Sequence, residues 1–235
     1  MKKIYLDLKS GISGNMFLGA LIQSGFPMEI LQKELSKFNL GDYRLINEEV
    51  DKCGVRARYF DVEMPHQHHS HRHLDDIRKI IESSSLSPMI KERAMAVFTE
   101  LARAEAHVHG TTIDEVHFHE VGAIDTIIDI MGVLLGLEYL GIEKIYFGEV
   151  ITGSGKVLCE HGLLDVPAPA TAALLEGIPN SKGDIPKELT TPTGAVLIRT
   201  LGEYAKAAPF ALARAYYGAG KMDLAIPNVL KMGVE

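Results

Sequence analysis

Hydrophobic and polar positions recur along the chain with two different periods. A short strand is predicted at 3–8, followed by a polar Ser/Gly loop and then by helical spacing of apolar residues from Met16 to Leu21. Two alternating stretches at 43–50 and 55–64, split by Cys53-Gly54, predict a hairpin. Further helices are predicted at 28–38, 74–83, 88–108, 122–140, 168–176 and 194–206, and strands at 144–150, 155–159 and 209–218. The pattern predicts an α+β fold, with mixed helices and short strands in one compact unit.

Composition narrows the class of protein. The 235 residues are 46 % hydrophobic and 23 % charged, which is typical of a soluble globular protein. The net charge of -7 argues against nucleic acid or an anionic membrane as a partner. Two cysteines, no signal peptide and no run near the roughly 18 apolar residues of a membrane span predict a cytoplasmic protein.

A histidine tract is the first candidate for chemistry. Five of its eight residues are histidine, namely His66, His68, His69, His71 and His73. Imidazole is a good ligand for nickel, copper and zinc, so the tract predicts metal binding, within a mobile loop at about 64–74. A mobile cluster suits capture and delivery better than catalysis, which needs preorganised ligands. The alternative is a solvated polar loop with no fixed role.

A second group of titratable residues begins after the long helix. It comprises His117, His119, Glu120, Asp125 and Asp129. The two histidines share a face if their segment is extended, and the two aspartates are four apart on one helix. Such groups can bind a divalent ion or act as a proton acceptor. Helix capping and satisfied core histidines are the alternative, but Asp129 among isoleucines needs a partner if it is buried.

The Ser/Gly loop at 10–14 could approach a phosphate through Ser10, Gly11, Ser13 and Gly14, with Asp7 before it as a metal ligand. An ordinary strand-to-helix turn explains the loop equally well.

Two later motifs are weaker candidates. Thr191 is a natural helix N-cap before Pro192, so anion binding by Thr191 and Thr193 is an additional possibility only. His161 could share a strand face with Cys159 and bind a metal, whereas a lone cysteine is more often a small buried apolar residue.

Taken together, these motifs resemble the LarC family of nickel-insertion proteins along essentially the whole chain. The matching residues are Asp7, the loop at 10–16, the histidine tract, the segment at 117–125, His161-Gly162, the Pro/Ala run at 167–170 and the Thr/Gly motif at 191–194. The chain departs from the family where Asn15 replaces a usual Asp. Family members are also commonly longer, so the resemblance implies the amino-terminal region at 1–235 without its carboxyl-terminal partner region.

The resemblance implies a function that the residues alone do not. It is the CTP-dependent insertion of nickel into pyridinium-3,5-bisthiocarboxylic acid mononucleotide by a lyase-class cyclometallase, which makes the cofactor of lactate racemase-type enzymes. CTP, with Mg or Mn, would bind outside this chain. The implied partners are the nucleotide substrate, the carboxyl-terminal half and further copies of this chain in a homo-oligomer. A non-catalytic nickel carrier and a divalent-metal hydrolase are the alternative functions.

The sequence finally predicts one shared pocket. His117, His119, Glu120, Asp125 and Asp129 are expected to converge there with some of Asp7, Ser10 and Ser13, because charged groups among isoleucines need shared partners.

Overall fold

The computed structural model describes residues 2–38, 40–64, 72–116, 118, 124–159 and 162–235. The described strands are β1 (Lys2–Asp7), β2 (Arg44–Lys52), β3 (Val55–Glu63), β4 (Ile142–Phe147), β5 (Val150–Ile151), β6 (Lys156–Cys159), β7 (Gly162–Asp165), β8 (Asn180–Ser181), β9 (Gly202–Tyr204), β10 (Arg214–Ala219) and β11 (Val229–Val234). The described helices are α1 (Gly14–Gln23), α2 (Met28–Leu35), α3 (Leu74–Ser83), α4 (Pro88–His109), α5 (Ile124–Tyr139), α6 (Pro169–Leu174) and α7 (Pro192–Leu201).

A seven-stranded mixed sheet organises the molecule, in the order β2-β3-β10-β11-β1-β4-β9. Strand β1 is parallel to β4, β4 is parallel to β9, and β10 is parallel to β3. Strand β11 is antiparallel to both of its neighbours, so β1, β3, β4, β9 and β10 all run the same way. Their carboxyl ends therefore lie along one edge, which we call the carboxyl edge.

Three helices begin at the carboxyl edge. Helix α1 follows the end of β1, whereas α5 and α7 each lead directly into a parallel strand, β4 and β9, and so run back across the sheet. A bridge between Ile12 and Thr190 joins the starts of α1 and α7. Helix amino termini meeting at strand carboxyl ends are the usual setting for a binding site in α/β sheets.

The core lies between the sheet and these helices. Ile4 and Leu6 of β1 are fully buried, as is the apolar stretch of α5 around Ile130. Helix α1 lies close against β10, because a Cβ at Gly218 would come within 1.7 Å of the Met16 carbonyl oxygen. No helix among the described residues is both long and apolar enough to cross a bilayer.

The α+β prediction is confirmed, and the hairpin and the helix at 74–83 have the predicted positions. The predicted helix at 194–206 is too long, since α7 ends at Leu201 and Gly202 has the extended backbone of β9 (φ -116°, ψ 164°). Strand β11 was not predicted. It lies inside the sheet, and its sequence of apolar residues interrupted by Lys231 and Gly233 lacks the alternation of a half-exposed strand.

Candidate functional site at the carboxyl edge

The loop between β1 and α1 is held by close backbone packing. The Ser10 hydroxyl donates to the Pro227 carbonyl at 2.8 Å. Gly11 has φ +74°, and a Cβ there would lie 2.0 Å from the Leu189 carbonyl oxygen. Only glycine fits this position, because both the positive φ and the close approach exclude a side chain.

The start of α7 closes the loop from the other side. The Thr191 N–H donates to the Ile12 carbonyl at 3.0 Å, and Thr191 Oγ1 caps α7 by accepting from the Gly194 N–H at 3.2 Å. A Cβ at Gly194 would lie 2.2 Å from the Ile12 carbonyl oxygen. The structure thus brings the predicted phosphate-binding residues of both motifs together, and packing between the two segments accounts for their small size. We call this contact the packed junction.

Asp129 lies against the packed junction. A Cβ at Gly14 would lie 2.7 Å from Asp129 Oδ2 and 2.8 Å from Thr193 Cγ2, so the aspartate and the two helix starts are in direct contact. Burial raises the pKa of Asp129 well above its usual range, and the charges of Asp125 and Asp61 raise it further, against a hydrogen bond from the Asn15 N–H. Asp129 Oδ1 is buried and has no hydrogen-bond partner.

Asn15 connects this aspartate to the sheet. Its side-chain oxygen accepts from the Ser13 hydroxyl at 2.5 Å, and its Nδ2 donates to the Phe60 carbonyl at 3.1 Å. An aspartate in its place would lack the donor for Phe60 and would add a negative charge beside Asp129.

Asp125 lies one helical turn before Asp129 in α5. Partial desolvation by the surrounding protein raises the pKa of its carboxyl, although solvent still reaches the side chain. The Thr126 N–H donates to Asp125 Oδ1 at 2.7 Å and works against this rise in pKa, as does the positive charge of Lys221. The shared helix face predicted for the two aspartates agrees with the effect of Asp125 on the pKa of Asp129.

Asp61 is a third carboxylate that the sequence reasoning missed. It lies near the carboxyl end of β3, where it accepts from the Tyr59 hydroxyl at 2.6 Å and pairs with Lys221 Nζ at 3.4 Å. Its charge raises the pKa of both Asp125 and Asp129. We call Asp61, Asp125 and Asp129 the acidic cluster. No sequence signal links Asp61 to α5, because the electrostatic interaction joins residues more than sixty positions apart.

A cleft of about 970 Å³ opens beside Asp61, and we call it the hairpin cleft. It lies at the open end of the β2–β3 hairpin and is lined by Gly41, Asp42, Tyr43, Arg44, Ile46, Tyr59, Asp61, Val62, Glu63, Met64 and Lys221. Burial and the hydrogen bond to Asp61 raise the pKa of the Tyr59 phenol, which therefore stays neutral. The cleft combines aromatic, acidic and basic side chains at one end of the sheet.

The chain positions that flank the two histidine-containing segments are paired with each other. The Phe118 N–H donates to the Arg72 carbonyl at 3.0 Å. The His73 ring Nδ1 lies 3.2 Å from the Val116 carbonyl oxygen, and its backbone N–H donates to Asp76 at the start of α3. His73 thus has a structural role that is sufficient to explain its position.

The other predicted ligands and bases lie outside the described residues. They are His66, His68, His69, His71, His117, His119, Glu120 and His161. Within the described ranges, no group of three or more His, Cys, Asp or Glu side chains is arranged to hold a metal ion.

Asp7 is placed apart from the acidic cluster. It alternates along β1 with Leu6 and Leu8, whose side chains are buried on the helix-covered face, so Asp7 points to the opposite face. There it accepts from the Lys9 N–H at 3.3 Å and lies opposite Lys231 of β11. The expected meeting of Asp7 with Asp129 is therefore not found, because the strand's alternation separates them.

The sequence profile of the family described as "Nickel insertion protein" matches residues 4–235. The chain belongs to this family. Among curated nickel insertion relatives, a Desulfitobacterium hafniense protein named pyridinium-3,5-bisthiocarboxylic acid mononucleotide nickel insertion protein is 46 % identical, over 100 % of this chain and 58 % of that protein. Putative nickel insertion proteins of Wolinella succinogenes and Dictyoglomus thermophilum are 47 % and 44 % identical, over 99 % and 100 % of this chain and 60 % and 61 % of theirs.

The chain therefore spans about three-fifths of the length of these nickel insertion relatives. No solved structure matches it significantly.

Proposed function

We propose that this chain carries the nickel-inserting part of an enzyme that converts pyridinium-3,5-bisthiocarboxylic acid mononucleotide into a nickel-bound cofactor. The family membership and the name of the Desulfitobacterium hafniense relative support this substrate. The reaction is of the lyase class and uses CTP with Mg or Mn, bound in the region of the relatives that this chain does not span. That region is the partner which completes the activity.

The acidic cluster is the observation that carries the proposal. Asp129 Oδ1 is buried without a partner, and Asp125 beside it has a raised pKa while its side chain remains open to solvent. A buried carboxyl without a complete set of partners is costly for stability, so its presence at the carboxyl edge favours a functional role.

The chemistry needs a proton acceptor at this position. A nickel–carbon bond forms only when the substrate's ring carbon loses its proton, which passes to a base. A raised pKa makes the Asp125 carboxylate a stronger base than an ordinary aspartate. His117, His119 and Glu120 precede it in sequence and are the other candidates for this proton transfer.

Nickel reaches the site through nitrogen and oxygen ligands. His66, His68, His69 and His71 capture the ion, and Asp129 and His161 provide one hard and one borderline ligand. The two thiocarboxylates of the substrate are softer ligands and take nickel from them, which favours transfer in one direction.

Replacing His66, His68, His69 and His71 by serine tests this proposal against a nickel carrier. His73 stays, because its ring contacts the Val116 carbonyl. In the full-length protein with CTP and excess nickel, an inserting enzyme still forms the nickel–carbon product, which mass spectrometry detects. At limiting nickel the variant is slower. Loss of all product at saturating nickel would identify the chain as a carrier whose only function lies in the tract.

A further inference from the structure

We propose that the hairpin cleft is the binding site for the nucleotide, with Tyr43 and Tyr59 against the cationic pyridinium ring, Asp61 as its counter-charge and Lys221 on the phosphate. This inference rests on the proposed function and adds the place where its substrate binds. The ligand class is a positively charged aromatic ring joined through a ribose to a phosphate.

The cleft has a suitable size. Its volume of about 970 Å³ lies at the upper end of the range of roughly 300–1,000 Å³ that is typical of small-molecule sites. The packed junction offers no comparable space, since hypothetical Cβ atoms at Gly11 and Gly194 would already meet carbonyl oxygens at 2.0 and 2.2 Å.

Two aromatic residues that line the cleft suit a cationic ring. Tyr43 and Tyr59 are half-buried, and aromatic faces attract cations most strongly where water is partly excluded. The Tyr59 hydroxyl donates to Asp61 at 2.6 Å, which fixes both side chains. The carboxylate of Asp61 is the counter-charge for a bound pyridinium ring.

Lys221, beside Asp61, supplies a group for the phosphate. The side chain of Lys221 is 79 % exposed, and its Nζ lies 3.4 Å from Asp61. A lysine on a flexible stem can turn towards a phosphate without leaving the cleft. Arg44 is less available, because its Nε and Nη2 both contact Glu63 Oε2.

The position of the cleft connects binding to chemistry. Asp61 lines the cleft and also raises the pKa of Asp125 and Asp129. Asp61 also directly follows Phe60, whose carbonyl accepts from Asn15 Nδ2 at 3.1 Å, and the Asn15 N–H donates to Asp129, so hydrogen bonds connect this strand end to α5. Met64, which precedes the histidine tract by two positions in the sequence, also lines the cleft.

Calorimetry without nickel tests the site with nicotinic acid mononucleotide, a stable compound with a pyridinium ring and a 5′-phosphate. We expect Lys221→Ala to weaken binding at least about tenfold, the effect of losing one charge-assisted hydrogen bond. Lys9→Ala is the matched control, because Lys9 is 87 % exposed and also pairs with an aspartate, Asp7, at 3.9 Å. It should bind as the unmodified protein does.

Two further titrations test which residue contacts the phosphate and which contacts the ring. Nicotinic acid riboside, which lacks the phosphate, should bind equally well to the unmodified protein and to Lys221→Ala. Tyr43→Leu should weaken the binding of both ligands. The unfolding temperatures of all variants show whether each is folded.

The result that overturns the inference is no binding, or binding that neither Lys221→Ala nor Tyr43→Leu changes. Neither of these two results contradicts the proposed function if the full-length protein still makes the nickel–carbon product. Failure of the proposed function is seen separately, as binding in the cleft without product formation.

Discussion

The carboxyl edge contains two adjoining regions that differ in how completely their polar groups are hydrogen-bonded. In the packed junction, the Ser10 hydroxyl, Thr191 Oγ1 and the Ile12 carbonyl all have partners within the chain. In the acidic cluster a few ångströms away, Asp129 Oδ1 has none, and the charges of Asp125 and Asp61 add to the rise in its pKa. Gly14 belongs to both regions, because it separates Asp129 from Thr193.

The difference teaches which sequence features indicate function here. A Ser/Gly loop and a Thr-Pro-Thr-Gly motif can look like ligand-binding elements, yet close contact between backbones is sufficient to explain them. The unpaired Asp129 Oδ1 has no such structural explanation, because a buried carboxyl without a full set of partners destabilises the fold.

Gly11→Ala gives the largest expected effect and tests the packed junction. Its Cβ would overlap the Leu189 carbonyl, so the free energy of unfolding should fall by about 4 kcal/mol or more. Gly177→Ala is the matched control, with φ +78° and no atom within 4 Å of a Cβ. Backbone strain should lower its free energy of unfolding by only about 1–2 kcal/mol, as measured by chemical denaturation. Equal losses for both variants would show that the junction is not tightly packed.

Asp129→Asn tests the acidic cluster, with an effect of opposite sign. Because the folded-state pKa of Asp129 lies above its unfolded value, its contribution to stability is present below about pH 4 and is lost as the pH rises through the folded pKa. Asparagine is uncharged at every pH and so avoids this loss. The free energy of unfolding of the variant should therefore be about 1–3 kcal/mol higher than that of the unmodified protein at neutral pH. Urea denaturation at a series of pH values measures the difference.

Asp75→Asn provides the comparison for that experiment. Its hydrogen bond and ion pair with Lys79 lower the pKa of Asp75, so its contribution is present at neutral pH and is lost as the pH falls through the folded pKa. The amide should therefore slightly destabilise the protein at neutral pH. If Asp129→Asn also destabilises it there, Asp129 is satisfied in the folded state and the cluster account is wrong.

Thr191→Ala should give the smallest effect and probes the junction from the side of α7. Loss of the hydroxyl that accepts from the Gly194 N–H should cost about 1 kcal/mol. Thr191→Ser retains the acceptor and should stay close to the original unfolding temperature. If Thr191→Ser loses as much stability as Thr191→Ala, the effect comes from the missing methyl group and not from the hydrogen bond.

The sequence predicted local structure better than it predicted the site. The hairpin and the helix at 74–83 follow from alternation, helical spacing and turn residues close together in the chain. Strand β11 was missed because its burial depends on neighbours on both sides, β1 and β10, which no local pattern reveals.

The same distinction applies to the site residues. Asp125 and Asp129 were predicted together because a helix fixes their spacing. Asp61 and Lys221 were missed because only the folded sheet brings them to α5. Asp7 was predicted near the cluster from its position at a strand end, but the direction of its side chain depends on which face of β1 the helices cover.

Nickel insertion by the full-length Asp125→Asn variant tests the central claim most directly. The amide has nearly the same shape but cannot accept the ring proton, so product formation measured by mass spectrometry should fall by about 100-fold or more. Asp75→Asn, in the first turn of α3 as Asp125 is in the first turn of α5, should keep the original rate. A folded Asp125→Asn protein that inserts nickel at the original rate would contradict the role of the acidic cluster as proton acceptor.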